Sequence, residues 1–432
     1  MATALTVGVE WEFLFGYVDG DEKDPWDGLG ADRLTSLGLD QPLYRNYHSS
    51  QLERLKIYEH IKQILENEEE LRRLTGGARV IAEDGPSNRH PETYDSWVIK
   101  RDHSIRPEDP DPDSDSDSDP PAPPHRLAQV ELNSPIFDAP SSSSGTHAAL
   151  ARATRLLRRR CRLRVNGTCA LQVHVGLRTA PFTALLLRKL RTLLWLAEGR
   201  LEGLCHPGRV QGSGEEALLH YARFRQFSEM AKTGDAGGGR GDVGGEAAFG
   251  GYRVWTGGVL EGLGEGVFYD MLRGRVRLLW RDDGRVTVKD VARLLCAYDD
   301  PLVRRLAFNF QGIYDQWVGG APGDALGKKE TVEFRLMEGT LNPDTVTNWV
   351  QVCTQIVRWA VESKPEEFQA VLAKLIGRSE DYTVFELLAD LGCDTHTTIQ
   401  HFFDKREDHF DCCNHSPPET GDFVPARCPK HG

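Results

Sequence analysis

Four short segments carry ionisable side chains two residues apart or alone between apolar neighbours. TVGVEWEF (6–13) holds Glu10 and Glu12, AQVELNS (128–134) holds Glu131, LQVHVGL (171–177) holds His174 beside Gln172, and TVEFRL (331–336) holds Glu333 and Arg335. Carboxylates are the ligands that magnesium prefers, and a histidine among them also suits manganese. The chemistry these residue types point to is binding of a divalent cation, whose shell phosphate oxygens and water usually complete.

Such residues need strands to aim them. Side chains alternate across a strand, so residues i and i+2 share a face. Val7, Val9, Trp11 and Phe13 therefore oppose Glu10 and Glu12, and Val130 and Leu132 oppose Glu131. Leu171, Val173, Val175 and Leu177 oppose Gln172, His174 and Gly176, while Val332, Phe334 and Leu336 oppose Glu333 and Arg335. One reading is an antiparallel sheet with one face in water. The other is a shared functional face, because a solvent face mixes lysine, serine and threonine with both charge signs. Glu10 and Glu12, ~7 Å apart along a strand, repel by about 2 kcal/mol at an effective dielectric near 20. A bound divalent cation removes that cost.

Around these strands the chain alternates helix and strand patterns. Residues 51–74 have apolar residues at helical spacing, with Leu52, Leu55, Ile61 and Leu65 as the expected buried stripe. Strands are predicted at 78–83, 95–102 and 126–137, and helices at about 146–160 and 181–204. Segments 303–315 and 329–339 read as a strand pair with a long glycine-rich connection. Asn342 reads as an N-cap with Pro343 at the first position of a helix to about Ser363. Residues 108–124, EDPDPDSDSDSDPPAPP, cannot bury enough apolar surface to fold and read as an insert between strands. The glycine-rich stretch 234–251 reads as a connector, or as a lid carrying Arg240, and is not a Walker A loop.

Bulk properties exclude some partners. The 432-residue chain carries a net charge of −13, which argues against nucleic acid. The most apolar run, Leu185–Leu204, is broken by Arg188, Lys189, Arg191, Glu198 and Arg200, so no membrane span is expected. The nine cysteines are an odd number, and no leader pattern opens the sequence, which together suggest a reducing, cytoplasmic location. Cys412, Cys413, His415, Cys428 and His431 have zinc-ligand chemistry but no standard finger spacing, and a frayed tail is the competing reading.

The ordered set GVEWEF (8–13), SWVIKRDHS (96–104), VELNSPIF (130–137), ALQVHVGL (170–177), WLAEGRLEGLCHPGR (195–209), LAFNFQGI (306–313) and TVEFRLMEGTLNPDTVTNWVQVC (331–353) resembles the amidoligase family. That family is related to glutamate–cysteine ligase and glutamine synthetase. The resemblance spans roughly residues 5–360. The insert at 108–124, which separates Asp102 from Glu131, departs from the family pattern.

The resemblance implies an α+β fold in which an antiparallel sheet curves into a half-barrel with helices on its outer face. It places a catalytic domain at 1–364 and a helical extension at 365–432. It implies an ATP-dependent carboxylate–amine ligase working through an acyl phosphate on small-molecule or peptide substrates. ATP and Mg²⁺, or Mn²⁺, would be the cofactors. Glu10, Glu12, Glu131, His174 and Glu333 would ligate metal, and Glu333 and Arg335 would be catalytic. Arg335, Asn309 and Arg209 would contact the nucleotide, and Asp102 the amine or a metal. Simpler roles compete: a solvated strand position for Glu12, a sheet hydrogen bond for His174, an ion pair between Arg335 and Glu333, and a turn for Arg209. Glu338 reads as structural. A phosphotransferase on the related fold, or an inactive binding protein, are the alternative functions.

Overall fold

The computed structural model describes residues 4–18, 35–36, 51–83, 94–105, 126–139, 145–205, 287–288, 291, 307–318, 330–377 and 381–407. The insert at 108–124, the stretch 234–251, Arg209 and the Cys/His tail lie outside them. In chain order the strands are β1 (Leu5–Val18), β2 (Thr35–Ser36), β3 (Arg79–Ala82), β4 (Ser96–Lys100), β5 (Arg126–Asn133), β6 (Phe137–Asp138), β7 (Leu163–Arg164), β8 (Leu171–Leu177), β9 (Phe308–Asn309) and β10 (Thr331–Phe334). The helices are α1 (Gln51–Glu66), α2 (Glu69–Leu74), α3 (Gly145–Arg160), α4 (Ala184–Leu201), α5 (Gln311–Val318), α6 (Pro343–Glu362), α7 (Pro365–Ile376), α8 (Val384–Asp390) and α9 (Gln400–Glu407). Among the described residues no helix is long and apolar enough to cross a membrane.

The chain divides into two compact units. The first comprises Val7–Val173, Met337–Val350 and His401–Gly432. Its strands follow the order β3-β4-β5-β1-β8, with β2, β6 and β7 also pairing with β1. The pairs β1·β5 and β4·β5 are antiparallel, but β3·β4 and β1·β2 are parallel. The expected all-antiparallel sheet is thus corrected to a mixed, open one in an α+β fold. Local alternation is the same in both arrangements, and a parallel pair needs only a connection that returns the chain to the same end of the sheet.

Both faces of β1 are buried: Val7, Val9, Trp11 and Phe13 are at most 4% exposed, and Glu10 and Glu12 are 9% and 3%. The polar face therefore does not meet water as an ordinary solvent face would. On the apolar face Trp11 packs 6.0 Å from Trp97, which meets Phe137 edge-on at 6.3 Å. Helix α1 packs on β3, β4 and α3. Its buried stripe is Ile57, Tyr58, Ile61 and Leu65, whereas Leu52 and Leu55 are exposed, correcting the expected stripe at its first turn. The predicted single helix over 51–74 is two, broken before Glu69.

The second unit comprises Met1–Thr6, His174–Leu336 and Gln351–Gln400. Here the order is β8-β10-β9, with β9·β10 antiparallel. Among the described residues of the strand expected over 303–315, Phe308–Asn309 are strand, and α5 takes over at Gln311. The cause is local: the Asn309 side chain accepts from Gln311 N at 2.8 Å, a turn that bends the chain out of the ladder. Thr183 caps α4 by accepting from Leu186 N. Buried Lys189 reaches from α4 to the C-terminal end of α6, donating to Ala360 O (3.2 Å), Ser363 O (2.7 Å) and Ser363 Oγ (3.1 Å). At the other end of α6, in the first unit, Asn342 Oδ1 accepts from Asp344 N and Thr345 N, the cap read from the sequence. Cys161, Cys169, Cys205, Cys353 and Cys393 are buried, free thiols.

Candidate functional site

In the first unit the site is set by register. Glu12 lies directly opposite Glu131 across β1·β5, and Glu10 opposite Asn133. Lys100 lies opposite Glu131 across β4·β5. Directly opposed residues share a face, so Glu10, Glu12, Glu131, Asn133 and Lys100 stand on one side of the sheet. Glu131 is 5% exposed. Like charges opposed across a ladder are destabilising, by roughly 3 kcal/mol for a separation of ~5 Å at an effective dielectric near 20.

Three side chains hold these carboxylates. Gln172, 1% exposed, donates its Nε2 to Glu12 Oε1. Lys100 Nζ pairs with Glu131 Oε1 at 2.8 Å. The Asn133 amide, oriented to satisfy both neighbours, accepts from Lys100 Nζ at 3.2 Å and donates to Glu131 Oε1 at 3.0 Å. Burial alone would lower the Lys100 pKa, but the Glu131, Glu10 and Asp102 carboxylates outweigh it and hold the ammonium charged. Burial pushes Glu131 up to about 8; Glu10 and Asp102 add to this and Lys100 opposes it. Asp102 accepts from Ser104 N at 2.5 Å, a local turn just past β4.

Two further contacts fix the frame. Ser134, of the Ser-Pro step after β5, accepts from Val9 N at 2.9 Å and returns its own N–H to Val9 O at 2.8 Å. Gly339 lies so close to Cys169 that a Cβ there would come within 2.5 Å of the Cys169 Cβ. Glu338 pairs with Lys405, the structural role read for it.

The second unit brings together a different part of the predicted set. His174 Nδ1 lies 3.1 Å from Thr331 Oγ1, which fixes the ring's orientation. Glu333 is 8% exposed and lies opposite Asn309. Its Oε2 accepts from Asn309 Nδ2 at 2.7 Å, and its Oε1 pairs with Arg335 Nη1. The ion pair between Arg335 and Glu333 is thus present, and Asn309 is bound to Glu333. Arg335 N also donates to Ala307 O at 2.8 Å, anchoring the residue beyond the end of β10.

Each unit therefore gathers its own members of the predicted set: Glu10, Glu12, Glu131 and Asp102 in one, His174, Asn309, Glu333 and Arg335 in the other. Lys100, Asn133 and Gln172 were not singled out from sequence. The parity rule could have found them, since each is two residues from a predicted site residue: Asp102, Glu131 and His174 respectively.

The comparisons with known proteins come down to one match. Residues 3–210 fit a family model described as "Putative amidoligase enzyme". This segment is similar to that family. It includes β1, β4, β5 and β8, and with them Glu10, Glu12, Lys100, Glu131, Gln172 and His174. No curated protein and no solved structure matches the chain.

Proposed function

We propose that this protein is an ATP-dependent carboxylate–amine ligase, with the sheet curved as a glutamine-synthetase-like half-barrel around its reactants. The observation that carries the reading is the buried polar face of β1 and β5. There Glu12 and Glu131 are directly opposed, Glu10 stands beside them, and Asp102 adds a fourth nearby carboxylate, with the Lys100 ammonium paired to Glu131. A buried face that gathers carboxylates in this way fits divalent cations. Glu131 Oε2, which makes no hydrogen bond or ion pair among the described residues, is suited to one of them. Glu10, Glu12 and Glu131 in the first unit, and His174 and Glu333 in the second, are the ligands this reading assigns. Bound Mg²⁺ would neutralise phosphate charge and orient ATP.

The protein's own groups position reactants and balance charge. A substrate carboxylate oxygen attacks the γ-phosphorus of ATP, the bond to the β-phosphate oxygen breaks, and ADP leaves. An amine nitrogen then attacks the acyl carbon, phosphate departs, and the nitrogen loses a proton to give a neutral amide. Arg335, pre-oriented by Glu333, is assigned to the transferred phosphoryl group. Asp102 is assigned to the amine.

Hydroxylamine trapping tests the acyl phosphate. With Mg-ATP, a substrate acid and hydroxylamine, a hydroxamate should form, and Glu10→Gln and Arg335→Ala should abolish it. ATP consumed into a stable phosphorylated product, with no hydroxamate, would instead identify a phosphotransferase.

A further inference from the structure

Lys100 is fixed more tightly than neutralisation requires. Its ammonium is 2.8 Å from Glu131 Oε1 and 3.2 Å from the Asn133 amide oxygen, and Asn133 in turn donates to the same Glu131 oxygen. The three side chains form a closed ring of hydrogen bonds across β4 and β5. An ammonium has three donors. Glu131 and Asn133 take two, and among the described residues no group accepts the third. The Lys100 side chain keeps 26% of its exposure, against 7% for Glu131. A lysine held by two acceptors with a third donor to spare is suited to meet an anion as a fixed point charge.

We propose that Lys100 is a further catalytic residue, donating its third N–H to an anionic oxygen of a reactant. Phosphoryl oxygens of the nucleotide, or of the phosphate it yields, have this chemistry, as does the carboxylate of the acid substrate. The role rests on the ligase reading for its place in a reaction, but anion binding by Lys100 is measurable without turnover. Loss of charge at Lys100 should weaken binding of that anion.

The experiment uses the full chain with Mg²⁺ present. Inorganic phosphate and acetate are titrated separately into the wild type, Lys100→Met, Lys100→Arg, Glu131→Gln and the double Lys100→Met/Glu131→Gln, with circular dichroism as the check on folding. Lys100→Met leaves Glu131 buried and unpaired and risks unfolding; the double variant removes both partners together and avoids this. The expected result is phosphate binding at least tenfold weaker in Lys100→Met than in the wild type, and in the double variant than in Glu131→Gln alone, with Lys100→Arg largely restored. The same pattern with acetate would place Lys100 on the acid substrate instead. Equal affinity for both anions across the series, or no binding of either to the wild type, overturns the proposal. Lys100-dependent anion binding without amine-dependent turnover would sink the ligase reading and leave this role standing.

Discussion

At the scale of single residues, the protein tolerates carboxylates that oppose each other inside a buried sheet face. Glu12 stands across from Glu131, steadied by Gln172, while Lys100 pairs with Glu131. Glu12→Gln keeps the shape and removes one charge. Above pH 8, where Glu131 is ionised, and without divalent cations, it should unfold at a higher denaturant midpoint than the wild type, since opposed like charges are relieved. With Mg²⁺ it should gain less than the wild type does. Urea unfolding with and without the metal checks both; a less stable variant with an undiminished metal gain would contradict the role assigned to Glu12. The carboxylates, histidine and arginine of this account were legible from alternation alone. The groups that hold them were less so, because an amide or a lysine on a strand has no distinctive spacing until its partner strand is known.

At the scale of elements, the helices and strands follow local signals where those signals are strong. Asn342 caps α6 as its sequence position implies, and α3, α4 and β8 lie close to their expected bounds. The errors came where a side chain redirected the backbone, as Asn309 does at the end of β9, or where the buried stripe shifted within a helix, as in α1. Gly176 shows a constraint no pattern reveals. A Cβ there would lie 2.8 Å from Thr6 Oγ1 and 3.1 Å from the Glu330 carbonyl oxygen. Gly176→Ala should therefore destabilise by about 1–3 kcal/mol, the usual range for overpacking, as read by chemical denaturation. Lys189→Met should lower stability by about 1–3 kcal/mol, because the last carbonyls of α6 lose their buried donor. A neutral effect would mean that water serves those carbonyls equally well.

At the scale of the whole molecule, the buried charge couples folding to pH and to cations. Glu131 titrates near 8 in the folded chain, above the ordinary carboxylate range. Between that range and pH 8 the folded protein holds a proton that the unfolded chain has released. This contribution to stability is complete below the unfolded pKa and is lost as pH rises through the folded one. In the absence of metal, the stability difference between the wild type and Glu131→Gln should shift against the wild type from pH 6 to pH 8. Mg²⁺ should reverse that trend, because it favours the ionised carboxylate. Parallel profiles of the two proteins under both conditions would contradict it. The α+β class was legible in the sequence. The parallel pair β3·β4 was not, since local alternation is the same in parallel and antiparallel strands and only the path of the connecting chain decides between them.

The central claim is tested most directly by measuring phosphate release from ATP with Mg²⁺ across a panel of paired carboxylate and amine compounds. The account predicts release that requires both an acid and an amine, yields an amide of the expected mass, and disappears in Glu10→Gln and Arg335→Ala. Release that ignores the amine, or no release together with no binding of Mg-ATP, would contradict it.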